Sequence, residues 1–67
     1  MESNYEILLR LTKEYKIESI VTLKLEDDHL SIYVHGKLLA SDSQHEEGHY
    51  QYSLGIIDGI GAINKNS

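Results

Sequence analysis

The groups in this 67-residue chain with the chemistry to act on something are 11 acidic side chains and four histidines; no cysteine is present to serve as nucleophile or soft metal ligand. One run has a known catalytic spelling: His45-Glu46-Glu47-Gly48-His49. On a helix, H-E-x-x-H turns two imidazoles to one side as zinc ligands and sets the glutamate as general base of a metallopeptidase. Such an enzyme also needs a third ligand, a cleft and a scaffold around the motif helix, which a chain of this length does not supply, and Gly48 weakens the helix inside the motif. What remains of the reading is a divalent-metal site, zinc held by His45 and His49 with Glu46 or Asp42 adding a carboxylate. Apart from that alternative no cofactor is expected. Nor is catalysis, since no Walker loop, dinucleotide fingerprint or nucleophile elbow occurs. Ser41 and Ser43, close before His45, read as capping residues.

The second candidate is a cluster. Glu26, Asp27 and Asp28 form one acidic stretch; Asp42, Glu46 and Glu47 form another. Whether they meet depends on the elements between them. Val21 to Val34 reads VTLKLEDDHLSIYV, two alternating runs about a charged break, which is the period of half-buried strands. With Asp27 and Asp28 as the turn, Val21 faces Val34, Leu23 faces Ile32 and Leu25 faces Leu30, so the large aliphatics share one face. A slip of one residue would scatter them. Thr22 opposite Tyr33 and Lys24 opposite Ser31 make the wetter face. Asp-Asp is a weaker turn signal than Asp-Gly, because a type I′ turn needs positive φ at both central residues. The register predicts strands over 20–26 and 30–34. His35-Gly36 then makes a second tight turn and 37–41 a third strand, with Tyr33 facing Leu38 and Ile32 facing Leu39.

Before the sheet, Ser3-Asn4-Tyr5-Glu6 spells a capping box. Tyr5, Ile7, Leu8, Leu9, Leu11 and Tyr15 follow at helical spacing, and Glu6, Arg10 and Glu14 can pair on the wet side. The apolar sector is wider than one core contact needs, which points Ile7 or Leu9 at a second subunit. After the sheet, Tyr50, Tyr52, Leu54 and Ile56 alternate like a fourth strand over 49–54. Ser43 to Glu46 spells another capping box, however, and His45, His49, Tyr52, Ile56, Gly59 and Ile63 are spaced like a helical seam. The helix accounts for more residues, with Gly55, Gly59 and Ala62 as a narrow strip for close packing and 64–67 fraying. The expected fold is α+β, one domain over 1–67: an N-terminal helix, a three-stranded antiparallel meander and a C-terminal helix, with both helices on the aliphatic face.

In that topology the first turn and the exit of the third strand share one end of the sheet, so the two acidic stretches form a pole, with Lys37 at the far end. A net charge of −5 disfavours direct nucleic-acid binding, which is built on Lys and Arg. The double-stranded-RNA-binding domain shares this order of elements, but its basic motif at the second helix is missing and Glu46 and Glu47 stand where phosphates would need positive charge. Spaced carboxylates instead imitate a phosphate backbone. In length, charge and lack of catalytic motifs the chain is comparable to the small acidic inhibitors that phages and mobile elements direct at nucleic-acid-binding host enzymes. The expectation is a protein-binding, regulatory module whose acidic pole docks on a basic host protein. Tyr33 and Leu38, together with Ile20, form a second contact face suited to homodimerisation. With no apolar run of about 18 residues and no signal peptide, no membrane contact is expected and the chain reads as cytoplasmic.

Overall fold

A computed structural model describes residues 1–65. Two turns set the sheet. Asp27 and Asp28 both take positive φ, 49° and 64°, as do His35 at 53° and Gly36 at 78°. Two successive left-handed residues make a type I′ turn, whose twist matches the strands it joins. The turns link β1 (Val21–Glu26), β2 (His29–Val34) and β3 (Lys37–Ser43) into an antiparallel sheet in the order β1-β2-β3. Val21 pairs with Val34, Leu23 with Ile32 and Leu25 with Leu30, the register that gathers the aliphatics. The second hairpin departs from expectation. Tyr33 does face Leu38, but Ile32 faces Ala40, because Leu39 is the extra residue of a bulge. The methyl group of Ala40 packs against the core, while Leu39 is turned outward and is 43% exposed. β3 also runs two residues beyond the expected Ser41.

Helix α1 (Asn4–Glu14) opens with the full capping box, Ser3 and Glu6 each accepting from the other's backbone N–H. It closes in a Schellman motif: Ile17 N–H donates to Thr12 O at 2.9 Å and Lys16 N–H to Lys13 O at 3.1 Å, with Lys16 at φ 59°. That left-handed position ordinarily holds glycine. Arg10 pairs with Glu14, as expected, and with Glu2, Glu6 being occupied by the cap. Leu8 and Thr12 are the buried stripe. Leu9, expected at a subunit surface, packs against the core, and Ile7 is half-buried.

Helix α2 (Glu47–Lys65) settles the ambiguous last third: residues 49–54 are helical and form no fourth strand. The expected capping box does not form. Ser43 ends β3 and its Oγ accepts from His45 N–H at 3.1 Å, while Glu46 caps the helix by accepting from Gly48 N–H at 3.1 Å. The inward seam is His49, Ser53, Ile57 and Gly61, rotated from the expected one, so Tyr52 and Ile63 are exposed. Small side chains allow the close approach. A Cβ on Gly61 would stand 2.5 Å from the Tyr15 ring, whereas Gly55 and Gly59, expected to serve packing, face open space. Asn64 and Lys65 continue the helix, with Asn64 Nδ2 donating to Tyr15 O at 3.2 Å; residues 66 and 67 of the expected frayed end lie outside the described residues.

Leu8, Ile17, Val21, Leu23, Leu30, Ile32 and Ile57 form the core between the sheet's aliphatic face and the two helices. The helices run side by side in the same direction. The start of α1 bonds to Gln44, just ahead of α2, and its end meets the last third of α2, where Tyr15 Oη donates to Asp58 Oδ1 at 2.8 Å. That bond, with smaller effects of burial and of the Asp58 and Glu14 charges, holds the Tyr15 phenol above its ordinary pKa.

Two substitutions test this packing. Lys16→Gly relieves a strained left-handed residue and should stabilise the fold by about 1 kcal/mol. Gly61→Ala should cost roughly 1–3 kcal/mol despite alanine's better helix propensity, because the methyl group meets the Tyr15 ring. Urea unfolding of each variant measures both, and a destabilised Lys16→Gly or a Gly61→Ala as stable as the wild type would contradict the packing described.

Candidate functional site

The pole forms where three chain segments converge, and Gln44 is their hub. Gln44 is 4% exposed. Gln44 N–H donates to Asp28 O at 2.8 Å and Gln44 Nε2 to Asp28 Oδ1 at 2.8 Å. In return Gln44 Oε1 accepts from Tyr5 N–H at 3.2 Å and Gln44 O from Asn4 Nδ2 at 2.8 Å. These bonds bring the β1–β2 turn, the β3–α2 connection and the start of α1 to one end. They also explain why Asp28 is not glycine at a left-handed position: its carboxylate satisfies a buried amide.

The structure therefore brings together both acidic stretches. Asp27 and Asp28 form the turn and Glu26 leads into it. Asp42 lies opposite Leu30 near the end of β3, and Glu46 and Glu47 follow within three residues of Gln44. All six carboxylates are exposed. Glu6, read from sequence only as part of a wet helix face, joins them because α1 starts here. Some oxygens have structural duties: Asp42 Oδ1 accepts from Ser43 N–H at 2.7 Å, Glu46 Oε1 caps α2 and Glu47 Oε1 accepts from Gln51 Nε2 at 3.0 Å. The pole also coincides with the N-termini of both helices, whose partial positive charge favours carboxylates.

The histidines do not form the expected pair. His45 precedes α2 and so does not share a helical face with His49. Its ring is largely exposed, with Nε2 3.7 Å from Asp28 Oδ2. His49 is 7% exposed, and its Nε2 lies 2.8 Å from Leu30 O, which fixes the proton on that nitrogen because a carbonyl only accepts. Its role here is to tie α2 to the central strand. No group of three or more metal-ligating side chains occurs among the described residues. Ser53, one turn on, is buried with its Oγ unpartnered.

Tyr33 and Leu38 face each other on the outer side of the sheet, Leu38 being 54% exposed. They lie toward the His35-Gly36 end, away from the acidic turn. Ile20, expected beside them, lines a groove of about 310 Å³ with Val34, His35, Ile60 and Ile63 instead. A shallow hollow of about 510 Å³ on the outer face, lined by Glu26, Asp27, His29, Lys24, Ser31 and Tyr33, connects the acidic turn to Tyr33. Sequence reasoning missed Gln44, whose neighbours spell a plausible cap, and Thr12 and Ser53, buried polar residues that an apolar period does not mark.

Comparison of the chain with protein-family models, with curated proteins and with solved structures finds no match in any of the three. No helix among the described residues is long and apolar enough to cross a membrane.

Gln44→Ala should destabilise the protein by roughly 2–3 kcal/mol, since it deletes two hydrogen bonds and strands the Tyr5 N–H. Guanidinium unfolding measures the loss, and a change smaller than about 0.5 kcal/mol would remove Gln44 from this role.

Proposed function

We propose that this chain is a protein-binding module that docks through its acidic pole on a basic, nucleic-acid-binding protein, covering a surface that otherwise holds phosphates. The observation that carries this reading is the convergence of Glu26, Asp27, Asp28, Asp42, Glu46 and Glu47 on one end with their side chains exposed. Most basic residues lie elsewhere. Lys13 and Lys65 stand in the last turns of the helices, Lys16 just beyond α1 and Lys37 at the start of β3; Arg10 pairs with Glu2 and Glu14. Lys24 alone shares the outer-face hollow with Glu26 and Asp27, and no lysine or arginine side chain is paired with these six acids among the described ion pairs.

The hollow on the outer face extends the contact. An arginine from the partner meets the carboxylates of Glu26 and Asp27 there and the face of Tyr33, which offers a cation–π contact. Carboxylate spacing gives rate and selectivity to such an encounter more than raw affinity, and the Tyr33 ring adds apolar area.

The test uses variants that neutralise charge yet keep the acceptors the fold needs: Asp27→Asn, Asp28→Asn, Glu46→Gln and Glu47→Gln together. Affinity capture from a lysate of the encoding organism, with mass spectrometry, should return nucleic-acid-binding proteins. Salt and added duplex DNA should both release them, because exposed charge contacts are screened over about 8–10 Å at 0.1–0.15 M salt. The fourfold variant should capture none of them. Equal capture by the variant would sink the reading.

A further inference from the structure

Exposed apolar groups concentrate on two neighbouring elements. Six large apolar side chains are exposed among the described residues, and four of them, Leu38, Leu39, Tyr52 and Ile63, belong to β3 and α2. β3 pairs only with β2, so its other edge is open. An open edge offers unpaired backbone groups to any strand that can lie beside it. Above it, α2 meets α1 through Gly61 and Asp58, which both contact Tyr15. At 100° per residue Tyr52, Ile56 and Ile63 fall on the opposite flank of α2, the flank on the side of β3, against which α2 packs. The bulge turns Leu39 out from the middle of the same strand.

Charge along this side runs from one sign to the other. Asp42 lies near the end of β3 where Glu46 and Glu47 begin α2; Lys37 begins β3 at the end where Lys65 closes α2. A surface with that gradient is complementary to its own copy turned end for end. We infer that a second copy of this chain covers this side, β3 lying antiparallel to β3 about a two-fold axis, with Leu39 near the axis. Each copy's Lys37 then meets the other's Asp42, and each Lys65 approaches the other's Glu46 and Glu47. The interface is isologous, so every contact occurs twice. In the dimer Asp42, Glu46 and Glu47 answer the second copy's lysines, so the part of the acidic pole left for a basic partner is Glu26, Asp27 and Asp28 with the outer-face hollow beside them.

Sedimentation equilibrium of the full chain tests this without any other protein. The wild type should self-associate as a dimer. Lys37→Glu and Asp42→Lys each create two like-charge contacts and should each weaken the dimer by about tenfold or more. A 1:1 mixture of the two variants restores both opposite-charge contacts and should recover dimer of near wild-type strength. Ile63→Ser should weaken the dimer and stay weak on mixing with either variant. Circular dichroism checks that all four proteins are folded. A monomeric wild type at the highest soluble concentration, charge variants that dimerise as well as the wild type, or folded variants whose mixture stays monomeric would each overturn the inference.

Discussion

The buried amide of Gln44 joins three parts of the chain that are far apart in sequence: the start of α1, the β1–β2 turn and the connection into α2. A buried amide adds little when all its bonds are made and costs much more when one partner is lost. The arrangement is therefore favoured as a whole. It fixes where α1 begins relative to the sheet, and it holds Asp28 in a left-handed conformation that an exposed turn would otherwise fill with glycine. The other end has its own lock, in which Tyr15 bonds to Asp58 and leaves only enough room beside it for Gly61.

These two ties make the helices parallel, and the charge distribution follows. Parallel helices put both positive dipole ends at one pole and both negative ends at the other. Glu6, Glu46 and Glu47 gather at the first, Lys13, Lys16 and Lys65 at the second. The acidic pole is thus partly a consequence of fold stability. The acids without a dipole to answer, Glu26, Asp27 and Asp42, lie on the strand ends and turn, where they are exposed and not set against a helix terminus. The same polarity gives β3 and α2 opposite charges at opposite ends, which makes that side self-complementary when inverted.

Polar residues in the interior divide by what they do. His49 and Gln44 carry bonds between elements, to Leu30 O and to Asp28 respectively. Thr12 Oγ1 donates to Leu9 O at 2.7 Å within its own helix. Ser53 Oγ has no partner, and its value lies in size: with Gly61 it lets α2 lie close on the sheet and on Tyr15. H-E-E-G-H, the run that most resembled a catalytic motif, is divided between a connection and a helix, so its letters do not become a pair of ligands on one face.

Periodicity and turn chemistry in the sequence alone determined the first helix and the three-stranded meander, the register of the first hairpin, the cap of α1 and the gathering of acids at one end. These depend on neighbours a few residues apart or on a two-residue repeat, and a one-residue error in them would turn every aliphatic to water. Only the tertiary structure decided the bulge at Leu39, the inward seam of α2 and the separate fates of His45 and His49. Each depends on how much room one element leaves another. Ala40 packs where Leu39 was expected, and the face of α2 that turns inward is the one with Ser53 and Gly61, because helix and sheet meet more closely than an apolar pattern can specify.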